Sequence, residues 1–163
     1  MTSRAATIDL DDVEGLLDAD RDGLLRAAAM AGAQVRSVAA AVDEGALDSV
    51  RSDLPPRTLI WVAAGGSALT AGMLISAALG ASTSVPIVVA AEVPPWIGAL
   101  DVLVVAGADP GDAALVAAAA TAVRRGARVI VAAPHEGPLR EVTAGRAALL
   151  PPRLPATRPA AGA

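Results

Sequence analysis

Short apolar runs recur along the later two-thirds of the chain, separated by longer alanine-rich stretches and by glycine or proline breaks. Residues 58–63 are apolar and partly β-branched, too few for a helix, and read as a buried strand. Gly65-Gly66 breaks this run, and Ser67 is placed as the N-cap of a helix over 67–80. The alternation continues with strands at 85–91 and 101–106, a helix at 110–125, a strand at 127–133, a short helix near 138–144 and a last strand at 146–150. The link from 92 to 100 contains Pro94-Pro95 and is too short for a full helix, so a turn or a single helical turn is expected. Strands alternating with helices imply parallel βαβ units with right-handed crossovers. The helix at 110–125 is strongly punctuated: Asp109 as cap, Pro110 at its first position, Arg124 and Arg125 in the last turn and Gly126 just past the end.

Ahead of this core the pattern is helical from Asp22 to about Glu44, with Leu25, Ala28, Val35, Val38 and Val42 near one face and Gly45 at the close. The first 53 residues hold eleven acids against five arginines, and the remainder six against eight. With Pro55-Pro56 behind it, this shift divides the chain into an acidic N-terminal segment with one long helix (1–54), an α/β domain (55–150) and a Pro/Ala-rich tail (151–163) expected to be disordered. Within the acidic segment, Asp18-Ala19-Asp20-Arg21-Asp22-Gly23 copies the first half of a calcium loop. The twelfth loop position falls on Ala29, where a bidentate Glu is required, so the stretch reads instead as a helix start with Asp22 near the cap.

Composition narrows the function. All thirteen basic residues are Arg, and Phe, Tyr and Lys are absent, a usage expected of a GC-rich, actinobacterial genome. A net charge of −4 with no basic stripe argues against nucleic acid. The lack of cysteine removes disulfides and thiolate chemistry, and a single His removes a multi-histidine metal centre. No metal site and no cofactor is implied. Thr58 to Ala91 carries no charge and is long enough to cross a bilayer. However, Gly65-Gly66, Ser67, Ser76, Ser82-Thr83-Ser84 and Pro86 divide it into strand, helix, loop and strand, as in a covered parallel sheet. A cytoplasmic protein without a membrane segment is the expectation, since the acidic N-terminus lacks a signal-peptide pattern.

Two helix N-termini fall where an open α/β sheet holds ligands, beyond the carboxyl ends of its strands. The first, Gly65-Gly66-Ser67, has no acid, permits close backbone approach and adds a hydroxyl. It suits a phosphate or a sugar hydroxyl, or is simply a tight turn. At the second, Asp109 and Asp112 already complement the helix dipole, and Pro110 removes a donor, so an anion is disfavoured there. Glu92 ends the second strand, about where a nucleotide-binding fold places its ribose-holding acid, although Ala63 and Ala64 stand where that glycine fingerprint expects glycine. His135, at a strand end without an identifiable partner, reads as a solvent-exposed loop residue.

The segments Val62 to Thr70, Pro86 to Gly98 and Asp101 to Arg128 together resemble the first sugar isomerase (SIS) domain of the bifunctional phosphoglucose/phosphomannose isomerases. The likeness is to the actinobacterial branch named TobH proteins. Gly65-Gly66-Ser67-Ala68 is similar to the family's turn after its first strand. Glu92-Val93-Pro94-Pro95-Trp96-Ile97-Gly98 is similar to its Glu-Leu-Pro-x-Trp-Val-Gly segment. The resemblance implies a three-layer α/β/α fold with a five-stranded parallel sheet of flavodoxin-like topology. It also implies sugar-phosphate binding and active sites built between paired domains. The chain departs from the pattern after the third strand. The family's Ser-Tyr-Ser-Gly-Asn-Thr-Glu-Glu is replaced by Ala106, Gly107, Ala108, Asp109, Pro110, Gly111, Asp112 and Ala113, and every hydroxyl is gone. Val89 and Ala91 stand where the family has Arg and Tyr, and the second SIS domain lies outside this sequence.

The leading expectation is therefore a domain that binds a carbohydrate derivative, a sugar phosphate, through Gly65, Gly66, Ser67 and Glu92, without independent turnover. One alternative is an active aldose–ketose isomerase when paired with a second SIS domain or a second copy, with Glu92 the one nominee for a base. Another is a nucleotide-binding Rossmann-like domain. A structural half that offers the uncharged helix at 67–80 to a partner is a further class.

Overall fold

The computed structural model describes residue 9 and residues 11–150, so the tail at 151–163 lies outside the described residues. Contacts divide the chain into two units, Met1–Ser37 and Val38–Ala163.

The first unit is helical. α1 (Val13–Ala19) is capped by Asp12, whose carboxylate accepts from Gly15 N–H. α2 (Leu24–Asp43) begins here and runs on past Ser37. Its cap is Asp20, which accepts from Leu24 N–H at 2.7 Å and Leu25 N–H at 3.0 Å. Asp22 had been expected in that role. The carboxylate that resembled a calcium ligand is thus engaged with backbone donors, and the described residues hold no cluster suited to a metal ion. α2 buries no residue: Leu25 and Val35 of its apolar face are exposed, and Val38 and Val42 are half-buried.

The second unit is the α/β body. Its strands are β1 (Thr58–Ala64), β2 (Ile87–Ala90), β3 (Asp101–Gly107), β4 (Arg128–Ala132) and β5 (Ala147–Leu149). All pairings are parallel, in the order β2-β1-β3-β4-β5, which is the flavodoxin-like arrangement. The helices are α3 (Gly66–Leu79), α4 (Ala113–Arg124) and α5 (Gly137–Thr143). Because right-handed crossovers run in opposite directions from β1 and β3, α3 lies on one face and α4 with α5 on the other. Strand alternation does the rest. Ile60, Val62, Leu103, Val105, Val129 and Val131 line up in register toward α4 and are fully buried against Leu115, Ala119 and Ala122. The central strand β3 is buried along residues 101–106, which explains its unbroken apolar reading.

The connection from β2 to β3 holds no helix. Residues 91–100 make two turns, closed by Ile97 N–H to Pro94 O at 3.2 Å and Asp101 N–H to Gly98 O at 3.0 Å. Ile97 is buried in the α4-side core, so this extended segment covers the sheet where a crossover helix would otherwise lie. Its far end is clasped. Asp101, fully buried, accepts from Arg57 Nε at 3.0 Å, Arg57 Nη2 at 2.5 Å and Gly98 N–H at 2.9 Å. Arg57 also donates to Trp96 O and stands over the Trp96 ring, 5.5 Å from its centroid. The hydrogen bond to Asp101 holds the guanidinium pKa above its ordinary value. A buried carboxylate needs such partners to offset its lost hydration.

Three expected helix and strand starts move. α3 begins at Gly66, not Ser67. Its N-cap is Gly65, with no side-chain capping bond, and Ser67 is already inside the first turn. α4 begins at Ala113, with Asp112 and not Asp109 as its cap. Asp109 instead accepts from Gly111 N–H at 2.8 Å and, with Pro110, belongs to the turn before the helix. Two Asp residues three apart are both competent caps, and the nearer one to the alanine run wins. β2 is only four residues long, since Val85 N–H bonds the Thr83 hydroxyl and Pro86 contributes only its carbonyl, to Leu59 N–H. Gly126 closes α4 as expected, with Ala127 N–H returning to Ala122 O at 3.0 Å. No helix among the described residues is long and apolar enough to cross a membrane.

Candidate functional site

With strand order 2-1-3-4-5, the connections leave β1 and β3 in opposite directions, and a crevice opens beyond their carboxyl ends. A cavity of about 390 Å3 occupies this place. Trp61 and Ala64 of β1, Gly65, Ser67 and Ala68 of the following turn, and Ala106, Gly107 and Ala108 at the end of β3 line it.

The turn is built by one backbone conformation. Gly65 has φ 92 and ψ 161, a region essentially closed to other residues. This reverses the chain directly from strand to helix. The consequence is a bare helix start. Leu69 N–H bonds Gly65 O at 3.1 Å, whereas Gly66, Ser67 and Ala68 N–H find no acceptor among the described residues. Three free donors and the positive end of the α3 dipole thus stand together with the exposed Ser67 hydroxyl, and Ser67 and Ala68 line the cavity.

The neighbouring start is closed. Asp112 Oδ1 accepts from Ala114 N–H at 2.9 Å and Leu115 N–H at 3.0 Å, and its charge already neutralises the α4 dipole. Of these two starts, the α3 end is the one with free donors to offer an anion.

Trp61 is the residue that sequence reading did not single out. Its ring lies half-buried under α3, with Nε1–H donating to Ala68 O at 3.0 Å. Gly72 makes this possible, since a Cβ there would stand 2.5 Å from Trp61 Cδ1. A Trp in a strand followed eleven residues later by a helical Gly is the only trace in the sequence, and it is not specific.

Gly65, Gly66 and Ser67 come together, but Glu92 does not join them. It is exposed and lines a separate hollow of about 210 Å3 with Val93, Ala114, Ala117, Ala118 and Thr121. None of the residues lining the larger cavity is titratable. His135 departs from its expected place in open solvent: it is half-buried, with Nε2 at 3.3 Å from Thr143 Oγ1. Thr143 gives its one proton to Leu139 O at 2.7 Å, so it accepts from His135, which places the imidazole proton on Nε2. The histidine is therefore a brace between the β4 end and α5. The Trp96 segment serves the opposite end of the sheet, at the Arg57–Asp101 clasp.

No protein-family model matches the chain, and no curated protein matches it. A solved structure described as "Crystal structure of an hypothetical protein" is similar, with a TM-score of 0.56 and 18% sequence identity over 78% of this chain and 68% of that one. At that identity the likeness shows the fold alone: a three-layer α/β body around a five-stranded parallel sheet.

Proposed function

We propose that the α/β unit is a binding domain for an anionic carbohydrate derivative, a sugar phosphate, which it holds without turning it over. The observation that carries this reading is the bare α3 start at the switch-point cavity. Three unpartnered N–H groups and the Ser67 hydroxyl suit phosphate oxygens, and no acid stands among the lining residues to repel them. The resemblance of Gly65-Gly66-Ser67-Ala68 to the SIS turn supports the ligand class. Aldose–ketose interconversion needs a base at the C1/C2 proton and a proton shuttle between oxygens. The cavity lining supplies neither, because Glu92 lies in the other hollow. Isomerase activity by this chain would thus require groups from a second domain or a second copy. The nucleotide reading rested on Glu92 reaching the same crevice and draws no support from where that residue lies.

Isothermal calorimetry with glucose 6-phosphate, mannose 6-phosphate and fructose 6-phosphate tests the reading. Heat of binding is expected with at least one, without conversion between them. A folded sample that gives no heat with any of the three sinks it.

A further inference from the structure

The switch-point cavity has two unlike parts. Its free donors gather at the turn into α3, where Ser67 and Ala68 line it and Gly66 stands between Gly65 and Ser67. Its walls are carbon: the Trp61 indole and alanine methyl groups, among them Ala71, Ala106 and Ala132. The indole is a fixed wall, pinned by its bond to Ala68 O and by the space left at Gly72. With Nε1–H already engaged inside the fold, the ring offers the cavity no further donor.

A ligand that fills this space carries charge at one end and presents C–H surface at the other, because hydroxyls set against alanine methyls lose their water without gaining partners. A sugar meets this demand when its ring is closed, since one face of a pyranose gathers axial C–H groups. An open-chain sugar carries hydroxyls along its whole length and has no continuous apolar face. Resting on the sugar-phosphate reading above, we infer that Trp61 determines specificity at this cavity: it selects a closed-ring sugar phosphate over an open-chain one by contact of the ring's C–H face with the indole.

The chain has two tryptophans, and the other, Trp96, stands over Arg57 at the opposite end of the sheet. Trp96→Phe therefore leaves Trp61 as the sole fluorescent reporter. This variant and its Trp61→Leu and Trp61→Phe derivatives are titrated by calorimetry with methyl glucopyranoside 6-phosphate (ring locked), sorbitol 6-phosphate (open chain) and inorganic phosphate. The parent is also followed by fluorescence. The locked ring is expected to bind about tenfold more tightly than the open chain and to shift Trp61 emission. Trp61→Leu is expected to abolish that preference while phosphate binding persists, and Trp61→Phe to retain part of it. Equal or tighter binding of the open-chain compound, or a preference unchanged in Trp61→Leu, overturns the role of Trp61 and leaves the anion site standing. No heat with any of the three ligands overturns both.

Discussion

Two helices start at the same edge of the same sheet, and they solve the problem of their unpaired donors in opposite ways. α4 is closed from within: the Asp112 carboxylate takes two of its first N–H groups and neutralises its dipole. α3 is left open: Gly65 turns the chain without a side-chain cap, and Gly66, Ser67 and Ala68 keep their donors free. The closed end contributes stability and the open end forgoes it. A glycine at the cap position forgoes roughly a few tenths of a kcal/mol relative to an Asp or Ser cap. That stability is relinquished at the one start whose first residues line a cavity of about 390 Å3 at the switch point, which is where a ligand can supply the missing acceptor.

The largest effect expected from breaking this contrast is on binding. Ser67→Glu places a carboxylate in the first turn of α3 and makes it resemble α4. Affinity for a sugar phosphate in calorimetry is expected to fall by more than about tenfold, while the melting temperature rises slightly. Next come the two glycines that build the open end. Gly65→Ala meets no atom within 4 Å, so its whole cost is the backbone strain at φ 92, about 1–3 kcal/mol in urea unfolding. Gly72→Ala has ordinary helical backbone, and its cost arises because Trp61 must shift. Destabilisation of roughly 1–3 kcal/mol is expected, together with a change in Trp61 fluorescence that Gly65→Ala does not produce. On the closed side, Asp112→Ala removes a working cap and is expected to cost about 1 kcal/mol. Smallest of all is Ser67→Ala, expected within ~0.5 kcal/mol of the parent in thermal unfolding, because the serine caps nothing. A loss near that of Asp112→Ala would return Ser67 to the capping role and erase the contrast.

The fold was largely legible along the chain because its signals are local. β-branched runs of strand length, the alanine-rich run before Arg124 and the stop at Gly126 each depend on near neighbours, and all appear within a few residues of their expected places. Helix starts were less legible. Ser67 and Asp109 are good caps by residue type, but cap choice is decided by which residue sits at the turn's geometry. Gly65 and Asp112 sit there. Of the candidate site, the Gly65 turn was visible because a Gly pair between a strand and a helix has few other uses. At the opposite end of the sheet, Arg57 and Asp101 were not: they are 44 positions apart, and nothing in either neighbourhood marks the ion pair that exposed Arg57 makes with buried Asp101. His135 looked partnerless because Thr143 lies across a helical turn that only the folded α5 brings within 3.3 Å.

By itself the sequence determined the alternation of strands and helices, the parallel architecture that follows from it, and the glycine turn after β1. These are consequences of side-chain periodicity and backbone sterics, which act over a few residues. Tertiary structure alone decided what surrounds that turn. The strand order set β1 beside β3 and so placed Ala106, Gly107 and Ala108 across from Gly65. Gly72 admitted the Trp61 ring beneath α3, and the path of residues 91–100 carried Glu92 into a different hollow and Trp96 to the far end of the sheet. Each of these outcomes depends on packing between residues distant along the chain, where volume and register decide and local pattern has no say.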